Sequence, residues 1–125
     1  TPHIAGYSAD GKANGTMMSV QALSRFFGFG IDNWTPDDIP GPPEQHIVID
    51  CRDKNDDMIV QEAIMATYQI FDDDRRLRQS ASTFEQQRGE YPLRREFHAY
   101  QVILSEKRPE AQRVLRKLRF NVEIN

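Results

Sequence analysis

Apolar residues recur at Ala13, Met17, Val20, Leu23 and Phe27, the three-to-four spacing of one helix face. This predicts an amphipathic helix over residues 8–28, with Ser8 or Asp10 as its cap and Gly28 and Gly30 where it stops. Gly11 and Gly15 weaken such a helix by about 1 kcal/mol each relative to alanine, so small residues here predict that another backbone passes close by. The pattern then breaks. Residues 31–45 hold Pro36, Pro40, Pro42 and Pro43 with Gly41, which predicts a stiff connector because proline fixes its own φ and biases its predecessor toward extended backbone. Trp34 in this stretch is expected to lie pinned against a domain surface, since exposing its ring is costly.

Beyond residue 46 the pattern alternates between strand and helix. His46-Ile47-Val48-Ile49-Asp50-Cys51 is a short run rich in β-branched residues and predicts a buried strand. Asp53 or Asn55 caps a helix to about Tyr68, with Ile59, Ala63, Ala66 and Ile70 on one side. Asp72, Asp73 and Asp74 followed by Arg75, Arg76 and Arg78 place acids at a helix start and bases later, in the sense of the helix dipole. Thr83 with Gln86 resembles a capping box. Phe97 to Leu104 alternates loosely and is predicted as the longest strand. Pro109 suits the first turn of a helix carrying Ala111, Val114, Leu115 and Leu118, and Phe120, Val122 and Ile124 alternate as a closing strand.

These elements predict an α+β fold, a two-layer sandwich whose three-stranded sheet carries helices on one face. An N-terminal amphipathic helix and a Pro-rich linker precede it. The expected organisation is residues 1–30, the linker 31–45 and a domain over 46–125; strand order stays open. Some 80 residues around so small a sheet are marginal for a free monomer, so a homodimer through 46–125 is expected on burial grounds.

Composition narrows the class. An apolar fraction of 38% with 28% charged residues in 125 fits a folded chain, and a net charge of −3 argues against a nucleic-acid partner. No apolar run reaches the roughly 18 residues of a membrane span, and nothing resembles a signal peptide. The single Cys51 forms no internal disulfide and is expected as a buried, inert thiol in a cytoplasmic protein.

The chain opens Thr1-Pro2-His3-Ile4-Ala5-Gly6-Tyr7, without an initiator Met or an entry strand, and is read as the C-terminal piece of a longer protein. His3 is the strongest candidate for chemistry. Pro2 holds the chain extended before it, Gly6 permits close backbone approach after it, and imidazole titrates near neutrality. His46 and His98 fall in predicted strands and are expected to be structural. No metal site is expected: helix capping accounts for Asp72, Asp73 and Asp74, and Cys51 with the three histidines lacks a zinc spacing. No Gly-x-Gly-x-x-Gly or phosphate loop is present, so the chain alone holds no nucleotide site. The Arg clusters at 75–78, 94–95 and 113–119 are expected to pair with acids and solvent on helix faces.

Thr1-Pro2-His3-Ile4-Ala5-Gly6 resembles the catalytic-histidine signature of the D-isomer-specific 2-hydroxyacid dehydrogenases. Tyr7-Ser8-Ala9-Asp10-Gly11-Lys12, Tyr68-Gln69-Ile70-Phe71-Asp72-Asp73-Asp74 and Tyr91-Pro92-Leu93-Arg94-Arg95-Glu96-Phe97 are similar to one branch of that family, which acts on a phosphorylated substrate and carries a C-terminal dimerisation domain. The resemblance implies NAD as the cofactor of the parent enzyme and His3 as the acid/base at the substrate's 2-hydroxyl. It implies that Gly6 approaches the cofactor and that Tyr7 contacts the substrate. The family's catalytic Arg and Glu would precede Thr1, as would its nucleotide and substrate domains, so this chain alone is expected to be inactive. Arg94 or Arg95 could reach the substrate phosphate of a partner protomer, against an ion pair within the domain. The alternative reading is a stand-alone dimeric binding or regulatory α+β module without catalysis.

Overall fold

The computed structural model describes residues 1–125. Helix α1 spans Ala9–Phe27; Ser8 accepts a hydrogen bond from the Gly11 amide as its N-cap, and Gly28 ends it in the left-handed region at φ 69°. Residues 31–45 contain neither helix nor strand. Then follow β1 (His46–Ile49), α2 (Asp56–Thr67), α3 (Ile70–Gln79), α4 (Phe84–Gly89), β2 (Gln101–Leu104), α5 (Pro109–Lys117) and β3 (Asn121–Ile124). Asn55, not Asp53, caps α2 by accepting from the Met58 amide, and Pro109 occupies the first turn of α5.

The sheet has the order β1-β2-β3 and is parallel throughout, with Ile47, Val102 and Val122 in one row and Ile49, Leu104 and Ile124 in another. Parallel neighbours need crossover connections. Here α2 and α5 make them on the same face: α2 packs on β1 and against α5, which packs on β3. The result is the expected α+β two-layer arrangement. Ile47, Ile49, Val102 and Leu104 point into the core with Ile59 and Ala63 of α2 and Ala111 and Leu115 of α5. Tyr100, Phe120 and the free thiol Cys51 complete it.

Four local expectations are corrected. The strand expected from Phe97 begins only at Gln101, because Phe97 stacks on Phe120 with centroids 4.5 Å apart and the chain makes a 3-10 turn over Phe97–Ala99. β2 is therefore no longer than its neighbours, and His98 sits in the turn, not in a strand. Helix α2 stops at Thr67, where Tyr68 turns extended, so Ala66 and Ile70 are exposed and Val60 and Ile64 pack on the core instead. Thr83 makes no cap: its hydroxyl donates to the Ser80 carbonyl and accepts from Gln87 Nε2. The three aspartates do not cap α3 either, since its N-cap is Gln69 without a side-chain bond; Asp72, Asp73 and Asp74 pair with Arg75, Arg76 and Arg78.

Of the apolar stripe of α1, Ala13, Met17 and Val20 are half-buried while Leu23 and Phe27 are exposed, as are Phe26 beside them and Phe29 beyond the helix end. The following segment folds back on the helix: Ser24 Oγ donates to Asp32 and accepts from the Ile31 amide, and Gln21 Nε2 donates to the Trp34 carbonyl. Trp34 is 38% exposed, so its ring is more covered than open but not buried. Close backbone approach occurs at Gly11, where a Cβ would stand 3.3 Å from the Gly6 carbonyl oxygen, but not at Gly15, which faces open space.

Candidate functional site

Residues 1–8 form a loop that lies on the segment Arg88–His98 and presents His3 to solvent. Pro2 and Ile4 are buried on either side of the exposed His3. Alternating burial of this kind turns the intervening side chain outward. His3 itself adopts φ 58°, a left-handed conformation that a non-glycine residue holds at a cost of about 1–2 kcal/mol. Such strain persists where neighbours over-determine the backbone, and here the neighbours are visible. Tyr7 N–H donates to the Ile4 carbonyl at 3.0 Å and Ala9 N–H to the Arg94 carbonyl at 2.8 Å. Arg94 Nη2 reaches the Ile4 and Ala5 carbonyls at 3.4 Å, and its guanidinium lies over the Tyr68 ring at 4.9 Å.

Tyr7 is held between cations. Its hydroxyl accepts from Arg88 Nη2 at 3.1 Å, and Lys12 Nζ sits 4.4 Å from its ring centroid. Gly6 has nothing within 4 Å of where a Cβ would be, so its backbone is open to a ligand and no neighbour occupies that side.

Arg95 faces the start of α1. Its Nε and Nη2 donate to the two carboxylate oxygens of Asp10 at 2.9 and 3.0 Å, a bidentate pair, while Nη1 donates to the carbonyls of Pro40 at 2.6 Å and Ile39 at 3.3 Å. Asp10, 3% exposed, also accepts from the Glu96 amide at 2.7 Å, and His98 Nε2 stands 3.2 Å away. Burial raises the Asp10 carboxyl, but the bonds from Arg95 and Glu96 and the charges of Arg95 and His98 outweigh it and hold it below the usual aspartate range.

A second buried carboxylate, Asp73, accepts from the hydroxyls of Tyr68 and Tyr91, both at 2.8 Å, and from Arg76. Burial again opposes ionisation, and the two tyrosines with Arg76 reverse it, leaving Asp73 low and both phenols raised. Tyr68, Asp73, Arg76, Tyr91 and Arg94 line an open cavity of about 180 Å³ beside the loop.

The structure thus brings His3, Gly6, Tyr7 and Arg94 to one side of the molecule, with Arg95 spent on Asp10 and the linker. Sequence reasoning missed Asp10, Asp73 and Arg88. Asp10 carried the signal of a helix cap, whereas Ser8 takes that role and frees the carboxylate. The Tyr68–Asp73 separation of five residues spans the break between α2 and α3 and has no helical period to reveal it.

β1 leads into α2 through residues 50–55, which contain no glycine, and the turn carries Asp50, whose carboxyl is held down to about 2 by Arg52. No helix is long and apolar enough to cross a membrane.

Residues 42–118 match a family described as "Domain of unknown function (DUF3410)". The chain is similar to proteins named erythronate-4-phosphate dehydrogenase: 42% identical over 103 residues to that of Bacteroides thetaiotaomicron, covering 82% of this chain and 27% of the relative. The relative from Marinobacter nauticus is 34% identical over 132 aligned positions, which take in 99% of this chain and 34% of that protein. The chain therefore spans about a third or less of the length of these curated relatives.

Proposed function

We propose that the chain, which belongs to the DUF3410 family, supplies the acid/base histidine and the homodimerisation domain of an NAD-dependent 4-phosphoerythronate dehydrogenase of vitamin B6 biosynthesis. The parent enzyme oxidises the 2-hydroxyl of 4-phospho-D-erythronate to the 2-oxo acid. The observation that carries this reading is the outward presentation of His3 from a loop fixed between buried Pro2 and Ile4, in a chain aligned over nearly its full length with dehydrogenases of that name.

In that role His3 accepts the 2-hydroxyl proton as the carbon is oxidised, and returns it in the reverse direction. An exposed imidazole on a constrained backbone can meet a hydroxyl brought by the substrate. Gly6 leaves room for a flat ring to approach beside it, and Tyr7, with Arg88 and Lys12 around it, offers a phenol and positive charge to a phosphorylated acid. We assign the bulk of cofactor binding, and the arginine and glutamate that complete the family's catalytic set, to other parts of the parent enzyme.

His3→Gln in the full-length dehydrogenase is the direct test. NADH formation from 4-phospho-D-erythronate is expected to fall by about 100- to 10,000-fold, the typical contribution of a positioned general base. Activity near that of the unsubstituted enzyme would remove the reading. The 125-residue chain alone is expected to form no NADH under the same conditions.

A further inference from the structure

The long-range hydrogen bonds made by residues 1–10 all run to Arg88–His98: Tyr7 to Arg88, Ile4, Ala5 and Ala9 to Arg94, and Asp10 to Arg95 and Glu96. The Asp10 pair dominates this contact. It is bidentate, both side chains are almost wholly buried, at 11% and 4% exposure, and no group of the proposed reaction is used in it. Asp10 lies two residues after the N-cap Ser8, so fixing its carboxylate fixes the first turn of α1. The preceding loop is anchored to that turn through the Ser8 cap and the close approach of Gly11 to the Gly6 carbonyl.

We infer that Asp10 and Arg95 are positioning residues for His3. The segment Arg94–Glu96 clamps the start of α1, and through it sets the loop that presents the imidazole. The inference rests on the reading of His3 as the acid/base. A five-residue stretch around a left-handed His3 has no means of holding its own orientation; the template comes from a segment some 85 positions away in the sequence. Arg95 also holds the Ile39 and Pro40 carbonyls, so the clamp ties three stretches of chain at one guanidinium. The domain proposed to hold two protomers together therefore also aims the catalytic histidine of its own protomer. It acts on the geometry of the proton transfer and not on substrate affinity.

The test uses Asp10→Asn, Arg95→Met and the double variant in the full-length dehydrogenase, with His3→Gln alongside. Misplacing a reacting group by about 1 Å costs roughly 100-fold in rate, so kcat is expected to fall by about 10- to 100-fold in each single variant. KM for 4-phospho-D-erythronate is expected to stay within about twofold, and the double variant to be no worse than the weaker single, as for two ends of one interaction. Amide exchange should accelerate at Ile4–Tyr7 while the core strands keep their protection, which separates a loosened loop from a loosened domain. Wild-type kcat in both single variants, or equal loss of protection in loop and strands, overturns the clamp. If His3→Gln is inactive while Asp10→Asn is unaffected, the clamp alone fails; an active His3→Gln removes the acid/base reading beneath it.

Discussion

Two aspartates are buried in this molecule, and both are held ionised against the tendency of burial. Asp73 satisfies two tyrosine hydroxyls and Arg76. Asp73→Ala would leave both hydroxyls without their partner, and a loss of about 2–3 kcal/mol is expected in chemical denaturation. Removing Arg76, which is half exposed, should cost less, because the tyrosines keep their acceptor. The same two carboxylates contribute to the acid limit. Asp10, facing Arg95 and His98, and Asp73, facing Tyr68, Tyr91 and Arg76, both have folded pKa values below the usual one. Their stabilisation is complete above the unfolded aspartate pKa of about 3.9 and disappears as pH falls through the lower folded values. Thermal melts should show stability falling through this acidic window. Asp10→Asn and Asp73→Asn, already less stable at neutrality, should each flatten that fall.

At the scale of elements, periodicity and packing agree where a stripe is both long and buried. Leu115 and Ala111 lie on the α5 face that closes the core, and Leu115→Ala is expected to cost about 3 kcal/mol, read as a lowered denaturation midpoint. Ala66→Ser, on the exposed end of α2, should change stability by less than about 0.5 kcal/mol. This pair marks the boundary of what the pattern reveals. Ile59 and Ala63 follow the helical repeat, and it points correctly to the core; Ala66, in the last turn of α2, is exposed, and before Ile70 Tyr68 has already left the helix to reach Asp73. Phe97 alternates with the strand that follows, yet its ring finds Phe120, and the backbone turns there. Propensity and period describe a segment alone, whereas these endings are chosen by side-chain partners outside it. His3 was legible as a candidate because its neighbours are in sequence. Its support at Arg95 was not, because a bidentate pair across 85 positions leaves no local mark.

For the whole molecule, the unexplained surface is the second face of the sheet. Parallel sheets are as a rule covered on both sides, but here the face opposite α2 and α5 carries His46, Val48, Gln101, Ile103, Asn121 and Glu123 in register, with Val48 69% exposed. Three four-residue strands at the usual spacings present only about 200 Å², against the roughly 800 Å² per partner of a stable interface. A dimer centred there must also take in flanking segments, and Val48 and Ile103 would then form its dry centre. A carboxylate placed at such a centre is buried without a partner on association, which dissociates the dimer, yet it meets only water in the monomer. For the homodimer proposed above, Val48→Glu is therefore expected to convert the sedimenting species from dimer to monomer while thermal melts show the fold retained. Phe26→Ser on the exposed aromatic end of α1 tests the competing surface and is expected to leave the proposed dimer intact. A monomer from Phe26→Ser with a dimer from Val48→Glu would move the interface to the helix, where the aromatic side chains and not the open sheet would join the two protomers.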